Sequence, residues 1–250
     1  MGPWLDILLP LLLLMGRVTA FFVVLPIFGW RSLPKMVRAG IAVLVTYFFS
    51  RIVPAPAALS GVHWLAALLL MIKEIACGLA LGLAVRMVYS AVQQGAVVAM
   101  QQMGFADAGI INPGTGESAR PTAMLFEMTF TLLFLVAGGH HVLLLLIAGS
   151  YESFPIAAAP DLSSLAGGIV EAGAAMLLLA LRIAAPVMAA FLLLAVVLGV
   201  LARVLPEMNI LMTSFPLRVA VGMLMAKEIL PYLDGFADEV AQWMTTRLAM

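Results

Sequence analysis

Apolar positions along the chain fall into long runs broken by short polar connections: Ile7 to Phe28, Met36 to Val53, Trp64 to Met103, Thr122 to Ala148, Leu165 to Leu205 and Ile210 to Leu233. None alternates polar with apolar in the ~10-residue segments of a β-barrel. In hydrocarbon each backbone polar group needs a partner within its own segment, so runs of this length become helices. The pattern predicts an all-α polytopic membrane protein. Two runs exceed a single crossing. Trp64 to Met103 would make roughly 60 Å of helix at ~1.5 Å per residue, against a hydrocarbon core of ~30 Å. Its second half carries Gln93, Gln94, Gln101 and Gln102, so it is expected to leave the lipid or to pack inside protein. Leu165 to Leu205 contains Arg182 and Pro186. A proline inside a helix removes a backbone hydrogen bond and kinks it, so one kinked helix or two shorter ones are expected there.

Composition strengthens the membrane reading. The chain is 64% hydrophobic and 10% charged, with a mean hydropathy of +1.13, whereas soluble domains are about half apolar and about a quarter charged. Its own polar groups could not cover its surface, so lipid or partner subunits must. Thirteen basic and thirteen acidic side chains cancel, leaving neither a basic stripe for nucleic acid nor an acidic tail. The single cysteine, Cys77, lies in an apolar run and reads as a small core residue. The first residues, Met1 to Asp6, lack a positively charged leader and a small-residue cleavage site, so the first apolar stretch is expected to be retained. Arg31, Lys35 and Arg38 fall in the first connection, and Arg203 and Arg218 near the last. In a six-span arrangement those basic residues put both termini outside.

Several charges interrupt the apolar runs: Arg17, Lys73, Glu74, Arg86, Glu127, Glu171, Arg182, Lys227 and Glu228. Each costs ~2.5–3.5 kcal/mol at a bilayer centre on insertion scales, so such residues face protein or a watery cavity. A proton or ion path is one reading; pairing between helices, including those of other subunits, is the favoured one. Neighbours on a helix diverge by ~100°. Lys73 and Glu74 therefore each need a partner elsewhere, as do Lys227 and Glu228. The spacing Gly78-Leu-Ala-Leu-Gly82 allows helix backbones to approach closely. The stretches Leu70 to Ile75 and Leu224 to Ile229 echo each other, each with a Lys-Glu pair. The connection from Gly104 to Arg120 mixes glycines and Asn112-Pro113 with apolar Phe105, Ile110 and Ile111. That combination forbids a continuous helix and fits a loop held against something. His140 and His141 diverge on a helix and complete no metal motif. No nucleophile elbow, phosphate loop or dinucleotide fingerprint is present, and no enzymatic activity and no cofactor are expected.

An ordered set of features resembles the FliR/SctT family, the export-gate component of flagellar and virulence type III secretion. Arg17 precedes Pro26-Ile-Phe-Gly29, Pro34 and Arg38; Glu74, Gly78, Gly82 and Gly95 follow, then Gln102-Met-Gly104 leading to Asn112-Pro113. Gly138-Gly-His140, Ser150 and Pro155 come next, and Gly199-Val-Leu-Ala-Arg203-Val-Leu-Pro206-Glu207-Met208-Asn209 with Phe215-Pro216-Leu-Arg218 closes the set. Glu207 stands where the family commonly has glutamine, and Asn112 where an aspartate often precedes the proline. The run Gln101-Gln-Met-Gly-Phe-Ala-Asp107 looks more like flagellar than virulence members.

The resemblance implies long kinked helical hairpins, with a FliP-like region over 1–160 and a FliQ-like hairpin and tail over 161–250. It implies assembly with FliP- and FliQ-like membrane subunits into a closed-resting pore for unfolded flagellar proteins. FlhB- and FlhA-like export components and the basal-body ring would be neighbours, within the bacterial inner membrane. It also implies that the helices are only partly inserted in lipid, which conflicts with six plain crossings. In the family the central loop plugs the pore, so Gly104, Phe105, Gly109, Ile110, Ile111, Asn112, Pro113 and Gly114 are the expected gating residues. Arg203, Pro206, Glu207, Met208 and Asn209 would turn the C-terminal hairpin, with Asn209 capping the last helix. Arg17, Lys73, Glu74, Arg182, Lys227 and Glu228 would pair buried charges in assembly, and Gly78 and Gly82 would pack helices. A virulence export-gate subunit is the nearest alternative, and a proton-coupled secondary transporter a more distant one.

Overall fold

The computed structural model describes residues 3–25, 34–53, 63–103, 121–156, 162–205 and 210–244. Among them the chain forms seven helices: α1 (Pro3–Val24), α2 (Lys35–Ile52), α3 (Trp64–Met103), α4 (Pro121–Val136), α5 (Gly139–Ser153), α6 (Leu162–Val204) and α7 (Ile210–Trp243). The all-α class follows from the apolar runs, and prolines and glycines explain the ends. Pro3 and Pro121 open their helices at the first position, where the missing N–H is not needed. Val53 and Phe154 leave α2 and α5 with non-helical ψ angles of 118° and 84°, because the prolines that follow each of them crowd the helical conformation.

Two expectations about the runs change, and one alternative is resolved. The stretch Thr122 to Ala148 is two helices, α4 and α5, because Gly138 adopts a left-handed φ of 81° that a helix cannot accommodate. The segment around Arg182 and Pro186 is one unbroken helix of 43 residues; only the backbone bond to the Arg182 carbonyl is lost at the proline. Six plain crossings are not seen among the described residues. By length and composition two helical stretches can span a membrane, Trp64–Val98 and Ser163–Val204, or three if α4 and α5 count as one broken span.

The chain divides into two compact units, interleaved along the sequence. The first comprises residues 1–88, 138–174 and 240–250. Here α1 packs on α2, and Leu13, Val18, Phe21, Leu25, Phe49, Val85, Leu146, Ile147 and Met244 are buried. The second comprises residues 89–137 and 175–239. The 1–160 and 161–250 division concerns kinship to two other proteins and is a separate question from compactness.

In the second unit α3 meets α6 at Gly95, where a Cβ would stand 2.8 Å from the Ala180 carbonyl oxygen and 2.9 Å from Ile183 Cβ. Ala180, Ile183, Ala184, Val187, Phe191, Leu194 and Leu198 form the buried stripe of α6 at helical spacing. Its opposite face leaves Leu181, Leu192, Leu193, Val196, Val197 and Val200 each 58–68% exposed. Such a helix, apolar on every side, belongs in lipid or against another subunit.

An aromatic cluster fills the rest of this core. The rings of Tyr89, Phe130 and Phe134 lie 5.2–6.0 Å apart between centroids. The Thr131 hydroxyl donates to the Glu127 carbonyl at 2.6 Å, which uses its one proton. Tyr89 must therefore be the donor in the Tyr89–Thr131 hydroxyl contact. Tyr89→Phe is expected to cost only about 1 kcal/mol, because Thr131 keeps its own bond. Tyr89→Ala should cost ~3–5 kcal/mol by emptying the ring's place. Thermal unfolding of the purified protein checks the contrast; equal losses would mean that the hydroxyl, not the ring, holds the cluster.

Candidate functional site

The first unit encloses one charge pair in apolar surroundings. Arg17 sits on the inward face of α1, between Leu13, Leu14, Val18 and Phe21, and is 1% exposed; Glu74 of α3 is 2% exposed. Arg17 Nε donates to Glu74 Oε2 at 2.6 Å. One terminal nitrogen of Arg17 donates to the Ser150 carbonyl at 3.0 Å and lies 3.3 Å from Ser150 Oγ. The other donates to the Phe154 carbonyl at 3.0 Å. The guanidinium carbon lies 4.3 Å from the centre of the Tyr151 ring.

Each contact has a local cause. The last carbonyls of a helix carry the negative end of its dipole. Arg17 supplies positive charge at the end of α5, a second donor to the Ser150 carbonyl, which also accepts from the Phe154 N–H at 3.0 Å, and a donor to the Phe154 carbonyl. Ser150 can only accept there, because its hydroxyl already donates to the Ile147 carbonyl at 2.7 Å. Arginine suits this place: its planar fork offers several donors and its charge is permanent. The cluster thus ties α1, α3 and the end of α5 together.

Glycines set the α1–α3 approach that makes the pair possible. A Cβ at Gly78 would fall 2.3 Å from the Arg17 carbonyl oxygen, and one at Gly82 would fall 3.0 Å from that of Phe21. Both positions of the Gly78–Gly82 spacing therefore face α1 directly.

The other residues singled out from sequence are placed differently. Lys73, beside buried Glu74, is exposed, as are Arg86, Glu171, Lys227, Glu228 and Arg203. Arg182 is also exposed and forms an ion pair with Glu239 within the second unit. Among the six charges expected to be buried, the chain by itself buries Arg17 and Glu74 and leaves Lys73, Arg182, Lys227 and Glu228 exposed. The rotation of ~100° per residue that separates Lys73 from Glu74 turns one outward when the other faces α1. Residues Gly104, Phe105, Gly109, Ile110, Ile111, Asn112, Pro113 and Gly114, and likewise Pro206, Glu207, Met208 and Asn209, lie outside the described residues. The rings of His140 and His141 lie side by side, 4.2 Å between centroids; among the described residues no three ligating side chains gather for a metal. The acceptor role of the α5 end was missed from sequence. Its one sequence signal was Ser150 and Phe154-Pro155 at the close of an apolar run.

Comparison with known proteins covers almost the whole chain. The profile of the family described as "Bacterial export proteins, family 1" matches residues 8–243. The chain is 35% identical over 233 residues to the flagellar biosynthetic protein FliR of Bacillus subtilis, covering 90% of this chain and 87% of that one. It is 30% identical over 224 residues to the FliR of Escherichia coli, with 90% and 85% covered. To the Yop proteins translocation protein T of Yersinia pestis it is 28% identical over 222 residues, with 87% and 84% covered.

Proposed function

The chain belongs to the bacterial export proteins, family 1, and we propose that it is a structural and gating subunit of a flagellar type III protein-export gate. The observation that carries this reading is the match to flagellar biosynthetic proteins along nearly their full length. The exposed apolar face of α6 supports it further, because a subunit of an assembly needs such a surface. In this reading FliP- and FliQ-like subunits cover that face, and FlhB- and FlhA-like components stand nearby. The site is the bacterial inner membrane within the basal body. The region 1–160 takes the FliP-like place and 161–250 the FliQ-like one, turning at Pro206 to Asn209. Unfolded proteins pass through the assembled pore, and the loop 104–120 closes it at rest. The chain performs no covalent chemistry.

Affinity purification of the full-length tagged chain from its own bacterium tests assembly: recovery with FliP- and FliQ-like subunits is expected, and recovery as a lone monomer overturns it. A strain lacking the chain should stop releasing hook and filament proteins into the medium. Release at the parental level would refute a flagellar role. The match to the Yersinia translocation protein favours the virulence counterpart as a second reading; in that case the missing secreted proteins would be effectors, with motility intact. For the loop, deleting Ile110 to Gly114 should leave assembly unchanged and make the closed pore leak ions. Unaltered conductance in planar bilayers would remove the plug.

A further inference from the structure

The first half of α3 turns Glu74, Gly78 and Gly82 toward α1. Its other side presents Leu65, Leu68, Leu69, Ile72, Leu79 and Leu83, each 37–55% exposed, as an apolar stripe at helical spacing. At ~1.5 Å per residue the stripe is about 27 Å long, close to the ~30 Å of a hydrocarbon core. Lys73 stands in the middle of it and is exposed. Its Cα lies about 12 Å from the level of Leu65 and about 15 Å from that of Leu83. A four-carbon stem lets an ammonium snorkel by only ~6 Å, so Lys73 reaches neither end of the stripe. A bare charge at that depth in lipid is unfavourable and calls for a counter-charge.

The helix itself offers none. Positions one turn away, where helical ion pairs form, are Leu69, Leu70, Ala76 and Cys77. Glu74 faces the other way and holds Arg17. Among the described residues Lys73 forms no ion pair. A second copy docked symmetrically on this face would set Lys73 against Lys73, which repels. Beside the lysine, Ala76 is exposed and Ala80 half-buried. Small residues one turn apart let a second helix approach closely enough for a short acidic side chain to meet the ammonium.

We propose that the Leu65–Leu83 face of α3 docks an apolar membrane helix of a different subunit, one that carries a single aspartate or glutamate opposite Lys73. This rests on the reading of the chain as a subunit of a membrane assembly, and it names the chemistry that one contact of that assembly requires. The apolar residues give the contact its area. The ion pair fixes the height at which the two helices meet, which packing between apolar surfaces leaves free to slide.

The test places the photo-cross-linking residue p-benzoylphenylalanine at Leu69 or Ile72 of the full-length tagged chain in its own bacterium, with Lys73 unchanged. Mass spectrometry locates the adducts. They should fall in an apolar helix of a co-purifying membrane subunit, within one turn of an aspartate or glutamate. Lys73→Leu should lower recovery of that subunit at least fivefold in detergent extracts, and Lys73→Arg should keep most of it. Exchanging the charges, with Lys73→Glu and the mapped acid replaced by lysine, should restore it. Adducts only with lipid, with a second copy or another segment of this chain, or with a helix lacking a carboxylate would each overturn the proposal. Full recovery with Lys73→Leu would do the same. In each of those cases, co-purification of FliP- and FliQ-like subunits with the wild type leaves the wider assembly reading standing, whereas a wild-type chain recovered alone overturns both. If a Lys73 variant is not recovered in membranes, the adducts formed with Lys73 in place decide the matter by themselves.

Discussion

Arg17→Ala is expected to destabilise the first unit by about 3–5 kcal/mol, because it removes the guanidinium that the buried Glu74 carboxylate meets at 2.6 Å. Whole domains are stable by only ~5–15 kcal/mol, so the variant chain should be scarce in membranes and should melt well below the wild type. Glu74→Ala should cost a similar amount for the converse reason. Glu74→Gln should be milder, since the amide oxygen can still accept from Arg17 Nε. A paired replacement, Arg17→Met with Glu74→Leu, should recover part of the loss, because neither charge is then left alone in apolar surroundings. Recovery should not be complete. The Ser150 carbonyl keeps its bond from the Phe154 N–H at 3.0 Å, but the Phe154 carbonyl loses its donor from Arg17. Melting of the purified protein, followed by loss of solubility, gives the order. An Arg17→Ala midpoint within a degree or two of wild type would show that the pair contributes nothing net.

How far this cluster was legible depends on what a sequence encodes locally. The apolar runs foretold the all-α class and where α2, α3 and α6 lie, because helix formation in hydrocarbon is dictated by backbone hydrogen bonding along one segment, but α7 runs on from Leu233 to Trp243 through a polar stretch. Hydropathy is blind to a left-handed residue, so the break at Gly138 was hidden inside an apolar stretch. Arg17 and Glu74 stood out as charges in apolar surroundings, and the divergence of Lys73 from Glu74 followed from helix geometry. That Arg17 and Glu74 meet across 57 positions, and that the end of α5 joins them, is set by packing in three dimensions. Resemblance, by contrast, directed attention to 104–120 and 206–209, because shared motifs mark segments that hydropathy reads only as loops.

Gly78→Ala should be strongly destabilising for the first unit. The new Cβ would stand 2.3 Å from the Arg17 carbonyl oxygen and 3.0 Å from Ala20 Cβ. A backbone atom cannot swing aside as a side-chain tip can, so α1 and α3 must separate. Overpacking of this kind costs about 1–3 kcal/mol, and here the displaced atom belongs to Arg17 itself. Moving its backbone pulls the guanidinium away from Glu74, so part of the ion-pair loss is added. Gly82→Ala should cost less, since its nearest neighbours lie at 3.0–3.1 Å. Gly167→Ala, which meets nothing within 4 Å, should be neutral or stabilising, because alanine favours a helix over glycine by about 1 kcal/mol. The same methyl therefore spans destabilising to stabilising along one unit, and melting midpoints should rank the three variants in that order. A double-mutant cycle separates the two causes. If Gly78→Ala acts partly through the ion pair, its cost should shrink once Arg17 is already alanine. A cost unchanged in that background would assign the whole effect to helix separation.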